Sequence, residues 1–425
     1  MSSLLLKNGT VIDYQERRQE QLDIWIEDGQ ITKMEEEILD EADVCLDCRG
    51  LFLVPGMIDM HCHVREPGFE YKETIETGAR SAVKGGFTTI CPMPNTNPTT
   101  DTTSGLLFVQ EKAKQLASCH VFPYASVTKG QKGEELVEFE ELAEYGAIGF
   151  SDDGIPVKNA LVMRQAMLEA NKVGKLISSH CEQIELAKGA ITEGEVSQRL
   201  DVKGILPEAE EVMVAREIVL SETNHIPIHI CHVSTKTSVN LIRDAKKRGV
   251  LVTCETCPHY FSLTEQEILH SGTNAKMNPP LRKEEDRQAI IKGLQDGTID
   301  VIVTDHAPHS KEEKQQDLET APNGIIGFET ALAVIITYLI KPKLISWFDF
   351  VKLTSYQPAK RLQLFKKGEL KVGFDADITI IDPEYKGIYQ EESIVSKSKN
   401  TPYIGKTLIG QVAYTIVDGK VKYKR

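Results

Sequence analysis

Eight short apolar runs, each closing on polar or ionisable residues, dominate the chain between about residue 57 and residue 310. They read MIDMHCH, FTTICPM, HVFPYAS, AIGFSDD, LISSHCE, IPIHICHVS, VLVTCETCPH and DVIVTDHAPH. Helix-length stretches separate them, such as Pro207–Ser221, which opens on proline and carries acids in its first turn. Strands that alternate with helices build a parallel sheet, and eight such units predict an α/β chain folded as a (β/α)₈ barrel of the TIM type. The two ends of the chain follow another rhythm. LLLKNGTVID and LDIWIEDGQITKM near the start, and GELKVGFDADITIID and VAYTIVDGKVKYK near the end, read as short strands and turns, with Glu27-Asp28-Gly29 as a hairpin signal. The expected organisation is therefore a barrel over residues 56–362 beside one small β-domain, assembled from residues 1–55 and 363–425.

Composition narrows the function classes. With 49 Lys and Arg against 63 Asp and Glu, the net charge of −14 repels nucleic acid and anionic membranes, but it permits a local cationic site for a small anion. The apolar stretch Ala331–Ile340 is too short to span a bilayer, and MSSLLLKNGT lacks the regions of a signal peptide. Nine scattered cysteines, an odd number without framework spacing, fit a reduced cytoplasmic setting. Cys45-x-x-Cys48 and Cys254-x-x-Cys257 lie about 200 residues apart and read as ordinary thiols rather than a zinc module.

In a barrel of this type the C-terminal ends of the strands meet at the active face. His61 and His63 end the first run, Asp153 the fourth, His180 the fifth, His232 the sixth and His259 the seventh, while Asp305, His306 and His309 close the eighth. His61 and His63 are two residues apart and share a strand face. His229 alternates with His232 and is expected to face outward, and His120, His225 and His270 sit at element edges as structural or exposed residues. Four histidines (His61, His63, His180 and His232) and two aspartates (Asp153 and Asp305) thus converge on one rim. Imidazole and carboxylate ligands suit zinc, and an aspartate midway around the rim suits a carboxylate shared between two ions.

The motifs VPGMIDMHCHVREPG, GGFTTICPMPNTNP, GFSDDG, KMNPPLR, TDHAPH and GFDADITIID identify the chain as similar, over its full length, to the dihydroorotases of the amidohydrolase superfamily, of bacterial type I. The resemblance implies Zn²⁺ bound by His61, His63 and Asp153, with a second Zn²⁺ on Asp153, His180 and His232. Two ions are favoured over one. Asp152 is the neighbouring candidate for the bridge, with a loop hydrogen bond as its other role. For a substrate that is a cyclic amide bearing a carboxylate, it implies contacts from His63, Arg65, Asn95, Asn278, His309 and the backbone at Asn323–Gly324. The planar fork of Arg65 suits a bidentate carboxylate contact. The bland alternatives are an ion pair of Arg65 with Glu66 or Asp59, and an Asx-turn at Asn95. Asp305 is the implied proton carrier for reversible cyclisation of N-carbamoyl-L-aspartate to L-dihydroorotate, a step of pyrimidine synthesis.

Two further readings are weighed against this one. A hydantoinase or allantoinase would typically carry a lysine bridge and lack the Arg65 and Asn95 pair, and a non-catalytic scaffold relative would have lost metal ligands. Homo-oligomers and a complex with aspartate transcarbamoylase are also implied by the family, whereas nucleic acid and membrane are not expected as partners. Residues 310–324 (SKEEKQQDLETAPNG) are polar and expected to be mobile.

Overall fold

The computed structural model describes residues 3–425. Its centre is a closed ring of eight short parallel strands. Met57–Cys62, Phe87–Pro92 and His120–Val121 form one parallel arc, and Ser178–Ser179, Ile228–Ile230, Val252–Thr256 and Val301–Ile302 form another. Single bridges close the ring: Phe150 is the fourth strand, paired with Ala125 and Ile177, and Cys62 pairs with His306. Every residue of the first two strands is buried, as expected of parallel strands covered on both faces.

Helices follow the strands as the sequence pattern predicts. Thr74 caps Ile75–Lys84 by accepting from Thr77 N, and Thr235 caps Lys236–Lys247 by accepting from Ser238 N, so the first turns of both helices satisfy free amides. The expected helix at Pro207–Ser221 runs from Glu208 to Asn224, and His225 ends it in the left-handed conformation. No helix among the described residues is long and apolar enough to cross a membrane.

The small β-domain draws on both ends of the chain. Phe52–Pro55 pairs in parallel with Ser3–Asp13 and antiparallel with Ile378–Ile388, so the N- and C-terminal segments share one sheet. Asp28 and Gly29, both at positive φ, make the two-residue turn between Arg18–Glu27 and Gln30–Glu35. Leu4, Leu6, Ile24, Ile26, Leu53, Ile378 and Ile416 form the core of this domain, each fully removed side chain contributing about 1.5–3 kcal/mol. Gly56 joins sheet to barrel where any Cβ would strike Thr88 Oγ1 at 2.1 Å. Two side chains fasten the seam from the sheet: Thr379 Oγ1 donates to Gly86 O at 2.5 Å, and Thr415 Oγ1 donates to Val83 O at 2.6 Å.

Candidate active site

The strand ends bring the six expected rim residues together. Asp153 Oδ1 lies 3.3 Å from His61 Nε2, 3.3 Å from His232 Nε2 and 3.5 Å from His180 Nδ1, and its Oδ2 lies 3.4 Å from His63 Nε2. Asp305 Oδ1 sits 3.1 Å from His63 Nε2 and 3.6 Å from His61 Nε2. All six are buried. Burial alone would raise the Asp153 carboxyl, but the histidines around it outweigh this and hold it well below the usual range. Burial likewise opposes a charge on His180, yet Asp153 and Glu182 bring it up to about 10. The site is therefore arranged for positive charge among its carboxylates. Asp152 turns the other way, its Oδ1 accepting from Val127 N and Thr128 N at 2.7 and 3.1 Å.

A cationic patch flanks this cluster. Arg65 Nε donates to Pro308 O at 3.1 Å, and its Nη2 lies 3.3 Å from His309 Nε2. Burial pushes Arg65 down to about 10, which leaves it cationic at neutral pH. Its φ of 63° breaks the alternation expected beyond His63, so the turn rather than the strand aims its side chain. Neither Glu66 nor Asp59 pairs with it. Glu66 instead pairs with Lys112, and Asp59 accepts from His61 N and Thr304 N. His309 Nε2 donates to Asn323 O at 2.8 Å, while burial and the charges of Arg65, Lys72 and Lys314 hold the ring well below its ordinary pKa. Asn95 Oδ1 lies 2.9 Å from His63 Nδ1 and so fixes that ring, and Asn278 Nδ2 donates to Glu182 Oε1 at 2.8 Å. Gly324, at φ 134°, has no room for a Cβ beside Ala307, and its N–H is taken by Lys276 O at 3.0 Å.

Comparison with known proteins places the chain in a family. Residues 50–238 match the family model described as dihydro-orotase-like. A dihydroorotase of Acetivibrio thermocellus is 48% identical over 420 residues, covering 98% of each chain, and one of Aquifex aeolicus is 46% identical over the whole of both. The chain belongs to the dihydroorotase family. Among solved structures, the L-hydantoinase (dihydropyrimidinase) of Arthrobacter aurescens superposes with a TM-score of 0.89 at 25% identity, covering 100% of this chain and 96% of that one.

Several site groups of this dihydroorotase-family chain escaped the sequence pattern. His229, expected to face outward, is fully buried inside the barrel, with Nε2 3.0 Å from Glu255 Oε2 and Nδ1 2.8 Å from Thr253 Oγ1. The backbone turns to φ 34° at His232, which ends the alternation on which the outward expectation rested. Glu255 also lies 2.6 Å from His61 Nδ1 and so orients a rim histidine from below. Burial would raise its carboxyl, but His61 and His229 outweigh that and bring it down to about 2. The only available signal was its place as a lone acid in the apolar run VLVTCET. Glu182 plays the same part for His180 Nε2, at 3.4 Å. His259 lies on the short helix Pro258–Ser262 that follows the seventh strand, and burial pushes it down to about 4.

The 310–324 segment is tied down. Ser310 and Glu313 form a capping box, and Lys314 Nζ donates to Lys276 O, Pro322 O and Gly324 O at 3.2, 2.9 and 3.1 Å. Lys276 Nζ answers with a 2.6 Å bond to Ala321 O. Composition alone reads a polar loop here, because the partners of both lysines are backbone carbonyls that no sequence pattern marks. All nine cysteines are free thiols, and eight are buried.

The rim also passes a test of fit for a metal. His61 Nε2 and Asp153 Oδ1 are buried without a hydrogen-bond partner although only 3.3 Å apart, so neither satisfies the other. A cation among them would satisfy both, and a set of imidazoles and carboxylates suits zinc. His61, Asp153 and His232 form one cluster close enough to share an ion, and His61, His63 and Asp305 form another.

Proposed function

We propose that the chain is a dihydroorotase that closes N-carbamoyl-L-aspartate reversibly to L-dihydroorotate and water. The observation that carries this reading is a single carboxylate, Asp153, set among four buried imidazoles with an unpaired arginine, Arg65, on the same rim. Relatives named dihydroorotase at 45–48% identity over nearly the full chain support it. In this reading His61, His63 and Asp153 hold one Zn²⁺, and Asp153, His180 and His232 hold a second. Bound zinc would lower the pKa of water and polarise the ring carbonyl.

The chain's own residues supply the rest. Arg65 holds the substrate carboxylate through its fork, and His309 adds a neutral N–H donor. His63, fixed by Asn95, lies beside the reacting amide. Asn278 and the Asn323–Gly324 backbone line the ring. In hydrolysis water adds to the ring carbonyl as the C–N bond opens. Asp305 accepts the proton that the water sheds and passes it to the departing nitrogen. Cyclisation runs the same transfers backward, with Asp305 taking a proton from the carbamoyl nitrogen.

Assay of the purified chain with measured zinc content tests the proposal. It expects hydrolysis of dihydroorotate and cyclisation of N-carbamoyl-aspartate, with hydantoin turned over far more slowly. A preference for hydantoin would replace it with the hydantoinase reading. Self-association and docking to aspartate transcarbamoylase belong to the same proposal through family resemblance alone. Sedimentation of the chain with and without the transcarbamoylase tests both.

A further inference from the structure

Lys72 belongs to none of the roles assigned above, yet it touches the carboxylate patch. Its Nζ lies 3.3 Å from His309 Nδ1 and 2.9 Å from Glu313 Oε1. The two nitrogens of His309 can be told apart by their partners. Nε2 lies 2.8 Å from Asn323 O, which only accepts, and 3.3 Å from Arg65 Nη2, which only donates, and the shorter contact puts the proton on Nε2. A neutral ring has one such proton, which leaves a lone pair on Nδ1. An ammonium, which only donates, is the matching partner for it.

The surroundings make this choice matter. Glu313 Oε2 lies 3.4 Å from the same Nδ1 and would favour a proton there. Lys72 stands against that by pairing with Glu313, whose carboxylate also accepts from Tyr71 OH at 3.0 Å and Ser310 N at 3.0 Å. The other charged groups around the ring are Arg65 and Lys314, both cationic in sense. With the proton on Nδ1, Nε2 would turn a lone pair toward the space beside Arg65 and repel a carboxylate.

We infer that Lys72 is a positioning residue for carboxylate recognition, its ammonium holding His309 in the tautomer whose Nε2–H faces the Arg65 patch. This rests on the dihydroorotase reading of the same site. It assigns the selectivity for a carboxylate-bearing cyclic amide to three residues, Arg65, His309 and Lys72, of which only the first two would touch the substrate.

Steady-state kinetics on zinc-loaded wild type, K72M and K72R test it, with dihydrouracil, which lacks the carboxylate, as a competitive inhibitor. K72M should raise KM for dihydroorotate about tenfold and leave kcat within about twofold. The inhibition constant of dihydrouracil should not change, and K72R should bring KM back to within about threefold of wild type. Nitrogen NMR of histidine-labelled protein should find the His309 proton on Nε2 in wild type and partly on Nδ1 in K72M. An unchanged KM, an equal loss for dihydroorotate and dihydrouracil, or a wild-type proton on Nδ1 overturns the inference. Should K72M fail to fold, K72Q keeps a donor without the charge and must still raise KM, or the inference falls. If wild type turns over no dihydroorotate, the dihydroorotase reading fails, and the NMR measurement alone then decides the role of Lys72.

Discussion

The imidazole half of the rim and its carboxylate-binding half are built in different ways. His61, His63, Asp153, His180 and His232 stand at or just beyond strand ends inside a closed ring; Glu255 on the seventh strand braces His61, and Glu182, two residues beyond His180, braces that ring. Arg65, His309 and Gly324 stand on loops, held by carbonyls, by Lys314 and by Asn400, whose side chain accepts from His309 N and donates to Ala307 O and Gly324 O. The first half is positioned by the barrel itself. The second is positioned by segments far apart in sequence, and its geometry is only as firm as those ties. Substitutions in the imidazole half should therefore act on metal and turnover, and those in the loop half on substrate affinity.

The largest effect is expected at the shared carboxylate. Asp153→Ala should remove bound zinc and bring turnover below detection by metal analysis and assay. Asp152→Ala should cost stability, about 1–3 kcal/mol for its lost buried hydrogen bonds, while zinc stays. The reverse order would shift the bridge to Asp152. Asp305→Asn comes next. The amide keeps the shape but cannot carry a proton, so kcat should fall about 10²–10⁴-fold in both directions with zinc retained. Activity within a few-fold of wild type would exclude Asp305 as proton carrier.

Arg65→Met should weaken dihydroorotate binding by about 1.5–3 kcal/mol, read as a rise in KM at constant zinc. An equal loss for an uncharged cyclic amide would show that Arg65 only shapes the loop. Glu255→Gln probes the imidazole half from below, and it should cost about 10–100-fold in metal affinity, measured by competition with a chelator. A change in KM without a change in metal affinity would break the contrast between the halves.

The smallest effect belongs to the loop tie. Burial, and secondarily Lys276, pushes Lys314 from 10.5 down to about 7 in the folded chain. The unfolded chain then binds a proton that the folded chain does not between about pH 7 and 10.5, so folding stability contributed by this group rises with pH across that window. The wild-type Tm should climb relative to Lys314→Met between pH 7 and pH 10, whereas a constant difference would mean that Lys314 stays charged when folded.

Strand alternation and strand ends by themselves determined the barrel, the two-ended β-domain and the convergence of His61, His63, Asp153, His180, His232 and Asp305. Those features follow from local periodicity and from the rule that a parallel barrel gathers its strand ends on one face. Only the tertiary structure decided which way Asp152 and Asp153 turn, because neighbours in an irregular loop have no fixed alternation. It also decided that His229 faces inward, since the positive φ at His232 interrupts the strand. The brace Glu255, the lysines that order residues 310–324 and the grip of Asn400 were illegible for one reason. Each acts on a partner distant in sequence, in several cases a backbone carbonyl, and the meeting exists only once the ring has closed.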